Sequence, residues 1–214
     1  MDKGIADKVE LLCHIRKTPN VLMGMFVELT RQFYSEDSGL PIDVCANWHP
    51  DPRESTLWID SEYEWDDNTT EQRPAIFIKL GDISYTSLTG RKDGRMGMCL
   101  EEGEYRYTRN GEGTVSWVHI GSSRTEAAVL AGSTLDYIDA FGAIIRDDLK
   151  FQSFELASVS PTALDKESKE RYRSVVTASF AFQDTWTLKL ESPKLKKIIY
   201  RTGQGLILNG IVPV

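Results

Sequence analysis

Between Arg173 and Leu190 every second residue is apolar. Val176, Ala178, Phe180, Phe182, Trp186, Leu188 and Leu190 form the set, with Asp184 as its one polar member. The intervening positions hold Thr177, Ser179, Gln183, Thr185, Thr187 and Lys189. A period of two turns one set towards a core and the other towards water, which is a β-strand pattern that helical spacing does not produce. Unbroken, about 17 residues at roughly 3.3 Å each would span roughly 56 Å, against roughly 36–40 Å for a helix of about 24–27 residues beneath it. The strand is therefore expected to break or bend at Gln183–Asp184.

That strand closes a block running strand, long helix, strand, long strand from Thr114 to Leu190. Ser123-Arg-Thr-Glu126 has the form of a capping box at the helix start. Ala127, Leu130, Ala131, Ile138, Phe141, Ile145 and Leu149 then make one apolar stripe at helical spacing. Gly132 and Gly142 weaken a helix intrinsically, so small residues there imply close packing. Phe151 to Val159 reads as the next strand, and the charged stretch Leu164–Arg171 crosses over into the long one.

Earlier in the chain, Ile5, Val9, Leu12 and Cys13 share one helical face, and Val21, Leu22, Met25, Phe26, Leu29 and Phe33 share another. Pro19 separates the two pieces, because it disfavours helix at the residue before it. Tyr34 to Arg53 reads as loop, Leu57–Ile59 as a short strand, and Arg73–Leu80 as a strand with Ile76, Ile78 and Leu80 alternating. Gly81–Asp82 turns the chain, and Ile83–Ser87 returns. Gly90 to Gly103 reads as a loop. Glu104 to Ile120 reads as a hairpin about Asn110-Gly111, since both residues tolerate positive φ. The elements define an α+β fold: a mixed, mainly antiparallel sheet packed against a long helix and N-terminal helices. We expect one domain over 1–214, with an insertion around 81–113 and an apolar tail over 203–214.

Composition narrows the chemistry. The 214 residues carry a net charge of −7, with 41% apolar and 27% charged side chains, as in an ordinary soluble globular protein. The acidic balance argues against general nucleic-acid binding. Cys13, Cys45 and Cys99 are odd in number and scattered, which points to a reducing compartment rather than a disulfide framework. The first residues lack the apolar core of a signal peptide, and no apolar run approaches the roughly 20 residues that span a bilayer. A soluble protein made in a cytoplasm is expected, with no membrane partner.

No motif carries catalysis. Cys45 and His49 lack a second pair at zinc spacing, and His14 and His119 read as ordinary helix and sheet residues. The acidic run Asp60-Ser-Glu62-Tyr-Glu64-Trp-Asp66-Asp67 has the alternation of a calcium loop. Trp65, however, stands where that loop needs glycine. The glycines from Gly90 to Gly103 lack the phosphate-loop pattern, and the nucleophile elbow Gly-x-Ser-x-Gly is absent. Bare amides at the Gly121–Ser123 turn could hold an anion, but the capping carboxylate is expected to occupy them. No catalytic, metal or cofactor-binding residue is assigned. Tyr63 and Trp65 in the acidic run suit a subunit interface, where aromatics are enriched. So do Leu206, Ile207, Leu208, Ile211 and Val212 of the tail, whose last ten residues carry no ionisable side chain.

Three segments resemble the tail terminator and tail completion (neck) proteins of tailed bacteriophages. Arg73-Pro-Ala-Ile-Phe-Ile with Gly81-Asp82 resembles the family's first core strand. Phe141-Gly-Ala-Ile-Ile-Arg-Asp-Asp-Leu149 with Phe154 resembles the end of its long helix and the next strand. Phe180-Ala-Phe-Gln-Asp-Thr-Trp-Thr-Leu188, leading to Pro193-Lys-Leu-Lys, resembles its closing strand. The resemblance covers about two thirds of the chain and is weakest between Gly81 and Gly113 and in the first 70 residues. It implies a non-enzymatic virion protein forming a ring, usually a hexamer, that caps the tail tube and joins it to the head connector. The implied partners are the tail tube protein, the tail sheath and the connector or neck proteins. Genomic DNA would pass through the ring without sequence-specific binding, along a lumen to which Asp60–Asp67 and Glu101–Glu104 could bring acid. Two other classes are a non-ring adaptor of the neck or baseplate, and a hydrolase with Glu62, Glu64 and Asp66 as its first suspects.

Overall fold

The computed structural model describes residues 17–35, 46–62, 74–87, 95–99, 104–165 and 170–189. They form α1 (Pro19–Ser35), β1 (Trp58–Ser61), β2 (Ala75–Leu80), β3 (Ser84–Thr86), β4 (Arg95–Cys99) and β5 (Glu104–Gly121). These are followed by α2 (Arg124–Asp148), β6 (Phe151–Val159), β7 (Ala163–Leu164) and β8 (Tyr172–Lys189). The fold is α+β, as the periodicities predict. Its eight strands form one sheet with the path β1-β2-β5-β8-β6, and β3 and β4 pair with β5 and β7 with β8. β1 runs parallel to β2, whereas β2–β5, β4–β5, β6–β8 and β7–β8 are antiparallel.

The chain divides into two compact units, one of Met1–Tyr85 with Gly111–Gln183 and the other of Thr86–Asn110 with Asp184–Val214. In the first unit, α1 packs on β1 and β2, and α2 packs on β6. Phe26 lies at the centre of the shared core. Its ring meets Trp117 edge-on at 6.0 Å and faces Phe151, Phe154 and Phe180 at 5.5–6.1 Å. Val176, Ala178, Phe180 and Phe182 of β8 are all buried there, confirming the inward set over that stretch. A smaller cluster of Ala75, Phe77, Val118 and Ile120, with Trp58 and Val175 packed against it, lies apart from this core.

Helix α1 begins at Pro19, where a missing N–H costs nothing in the first turn. It is more enclosed than its apolar stripe implies, since Met23, Val27, Thr30 and Tyr34 are buried as well. The expected earlier helical piece, with Ile5 to Cys13, lies outside the described residues. Helix α2 opens on Ser123, whose side chain accepts from the Glu126 N–H at 3.1 Å. The Glu126 carboxylate answers on Ser122 rather than Ser123, taking its N–H at 2.6 Å and its hydroxyl at 2.8 Å.

Several expectations are corrected. Asn110-Gly111 is not a hairpin turn; β5 continues through it as an 18-residue strand. Asn110 does not have positive φ, a conformation that only Lys150 adopts among the described non-glycine residues. Glycine is needed at 111 for packing: a Cβ there would collide with the Phe182 ring, and one at Gly113 would lie 3.0 Å from the Phe180 Cζ. A strand glycine that admits a neighbouring ring serves close approach, not chain reversal. Of the break or bend expected at Gln183–Asp184, the break does not occur: β8 is one strand of 18 residues. The boundary between the compact units falls there, and the register with β6 ends at Phe182.

Within the second unit, Asp184 is buried but paired, its Oδ2 lying 3.3 Å from Arg109 Nη2. The Thr108 and Thr185 hydroxyls meet at 3.2 Å beside it. A buried carboxylate with a cation and neighbouring polar groups is tolerated where an isolated one would not be. The segment read as loop from Gly90 to Gly103 contains β4, which pairs with β5 across a bulge between Arg95 and Gly97. The tail over 203–214 lies outside the described residues.

Helix α2 departs from its stripe at Phe141, which is 44% exposed. Close packing explains neither glycine equally: a Cβ at Gly142 would touch Phe154 at 3.8 Å, while nothing lies within 4 Å of one at Gly132. Contrary to expectation, α2 is long and apolar enough to cross a bilayer, with a mean hydropathy of 1.4 over 18 residues. Its Ala127, Leu130, Ala131, Ile138 and Ile145 are buried in the core, and 33% of that 18-residue window is buried.

These contacts give two glycines opposite expected responses to a methyl group. Gly132→Ala should stabilise the protein by about 0.5–1 kcal/mol through helix propensity, raising Tm by roughly 1–4 °C. Gly111→Ala should destabilise it by about 1–3 kcal/mol, because the buried Phe182 ring would have to shift against Phe151 and Phe180. Thermal unfolding of the two variants checks both signs.

Candidate interaction surface

The most elaborate polar arrangement among the described residues is internal. Thr134 of α2 places its hydroxyl 3.0 Å from the Tyr34 hydroxyl and 2.8 Å from His119 Nε2. Tyr34 donates to the Leu130 carbonyl at 3.1 Å. Nearby, Trp117 Nε1 donates to Thr30 Oγ1 at 2.8 Å, and Thr30 donates to the Phe26 carbonyl. The cluster joins α1, β5 and α2 through groups that are 0–4% exposed. Burial pushes the Tyr34 hydroxyl up to about 12, outweighing its bonds to Thr134 and Ser133. Burial likewise lowers His119 to about 3, while a backbone hydrogen bond with Ser174 works the other way and is the smaller effect. At neutral pH the imidazole is uncharged and fully enclosed, so it fixes the packing of helix on sheet rather than meeting a substrate. In sequence His119 reads as an ordinary strand residue, because its partners lie 15 and more positions away.

The other chemistry-bearing residues are held in local contacts. Asp60 lies 3.5 Å from Arg31 Nη2, and the Arg31 guanidinium also donates to the Ile59 carbonyl. Glu62 pairs with Lys79. His49 Nδ1 accepts from the Asp51 N–H at 3.1 Å and lies 3.2 Å from Glu54. Among the described residues no three His, Cys, Asp or Glu side chains are grouped to hold a metal ion. Tyr63, Trp65, Glu64 and Asp66 lie outside the described residues. So do Leu206, Ile207, Leu208, Ile211 and Val212, as well as His14 and Cys45.

What the structure does bring to the surface is apolar. β6 ends the path of the sheet, and its residues from Glu155 to Val159 are all exposed. Leu156 is 37% and Val159 45% exposed. Register shifts at Phe151/Ser153 and Leu156/Ser158 interrupt the ladder to β8, a common way of managing an edge strand. On α2, Ala140, Phe141, Ala143 and Ile144 are exposed over one turn, Ile144 to 54%. Exposed Asp136 and Asp139 precede this strip, and Asp147, bonded to Arg146 at 2.9 Å, follows it. Sequence reasoning assigned Phe141 to the core; apolar Ile144, which falls outside that stripe, was the sequence signal for a second apolar face.

The fold and this surface define an α+β protein with an apolar helix face and an open sheet edge. No protein-family model matches the chain, and no curated protein matches it in sequence.

Burial of His119 has a pH consequence. Its folded pKa of about 3 lies below the ordinary 6.5, so the unfolded chain takes up a proton first as pH falls. The stability it contributes is complete above about pH 6.5 and is lost progressively towards pH 3, at up to about 1.4 kcal/mol per pH unit. Denaturant unfolding at pH 7, 5.5 and 4 should show this slope in the parent. A His119→Gln variant, less stable at pH 7, should show a shallower one.

Proposed function

We propose that this protein is a structural subunit of a tailed-phage virion: a tail terminator or neck component that closes into a ring of six copies without enzymatic activity. One observation carries the reading. The three segments that resemble the family form β2, the end of α2 with β6, and β8, all elements of one α+β sheet-and-helix fold. The exposed β6 edge and the Phe141–Ile144 strip supply apolar surface of the kind subunit contacts use. In this reading the ring meets the tail tube protein on one face and sheath or connector proteins elsewhere, in a particle assembled in the host cytoplasm.

Six copies would carry about −42 in total, which would keep DNA from adhering to the lumen wall. Of the acidic run, Asp60 and Glu62 are already matched by Arg31 and Lys79, so the lumen charge would have to come from other carboxylates.

The test is the mass of the purified protein by light scattering, alone and with tail tube. A ring of six 24.2 kDa chains gives one discrete species near 145 kDa, alone or on tube addition. A protein that stays at 24.2 kDa in both conditions is not a ring subunit.

A further inference from the structure

Resting on the ring reading, we propose that the exposed strip of α2 receives the C-terminal segment of a neighbouring copy. The strip is apolar at Phe141 and Ile144, 44% and 54% exposed, and carries the exposed carboxylates Asp136 and Asp139 on the turn before. The chain itself contains a complementary sequence. From Pro193 to Val214 it has no acidic residue, four cations at Lys194, Lys196, Lys197 and Arg201, and apolar Leu195, Ile198 and Ile199 among them. The apolar Leu206–Val212 follows.

Charge complementarity selects this occupant over an acidic or anionic one, and burial of aromatic and branched side chains supplies the main driving force. In the ring reading the segment comes from a second copy, because a contact within one chain would not link subunits. Tail of one copy on helix of the next is a head-to-tail contact, the kind that closes rings.

The test exchanges charges in the full-length protein. One variant carries Asp136→Lys and Asp139→Lys, a second Lys194→Glu, Lys196→Glu and Lys197→Glu, and a third all five. Circular dichroism confirms folding, which these exposed or terminal positions should not disturb, and light scattering across a concentration series reads assembly. Each partial variant should raise the concentration for half-assembly at least tenfold, and the five-fold variant should return it towards the parent value. Salt should weaken assembly of the parent. A Phe141→Asp, Ile144→Asp variant should fail to assemble while remaining folded. An oligomer indifferent to these reversals, or a five-fold variant worse than either partial one, overturns the docking and leaves the ring reading standing. A parent that is monomeric throughout, even with tail tube, defeats both.

Discussion

The first unit depends on the absence of two side chains. Gly111 and Gly113 leave open the space on β5 into which Phe182 and Phe180 of β8 settle. From there the rings continue into Phe151 and Phe26, with centroids 5.4–6.4 Å apart. Aromatic pairs at such separations contribute beyond the area they bury. One cluster thereby ties the middle of the sheet to α1 and to the strand that follows α2. A side chain at Gly111 would force the Phe182 ring to shift, and one at Gly113 would press on the Phe180 ring, against the rings packed behind them.

A second, polar constraint lies beside the aromatic one. Thr134 bonds both the Tyr34 hydroxyl and His119 Nε2 in the buried interior, and Thr30 accepts from Trp117. A buried network whose members find partners specifies one arrangement of helix over strand, because any slip leaves polar groups unpaired at a cost of about 1–3 kcal/mol each. Apolar packing sets how strongly the helices adhere, and the hydrogen bonds set where. The end of α2 uses a related device. Lys150 takes a left-handed conformation after the helix, and its carbonyl accepts from Lys17 at 2.8 Å. The Lys17 ammonium sits over the Phe151 and Phe182 rings, so the segment entering α1 is fixed to the turn that starts β6.

With the interior arranged in this way, no described residue pairs with the outer edge of β6, and the outer face of α2 is exposed. β6 can pair with β8 on one side only, and its bulges leave Leu156 and Val159 outward. The N-terminal half of α2 is held by Thr134, Leu130 and Ala131, whereas its C-terminal half shows Phe141 and Ile144 to solvent. A helix face that stays apolar beside a packed core is suited to association, and the proposed docking of the basic C-terminal segment would give that face a specific partner.

The sequence by itself determined the fold class, the inward set of β8 as far as Phe182, the extent of β6 and the cap of α2. These follow from periodicities and short-range chemistry that each segment carries alone. Only the tertiary structure decided the roles of Asn110-Gly111, Asp184, His119 and Phe141, because each depends on a residue far along the chain. A glycine beside asparagine reads as a turn until the ring of Phe182, 71 positions later, occupies the space above it. An acid on an apolar face reads as an interruption until Arg109 pairs with it. A histidine in a strand reads as neutral ground until Thr134 is brought against it, and a phenylalanine in an apolar stripe reads as core until the fold leaves it 44% exposed. Local patterns report which face of an element avoids water. What lies opposite that face is set by long-range pairing, and no single segment contains that information.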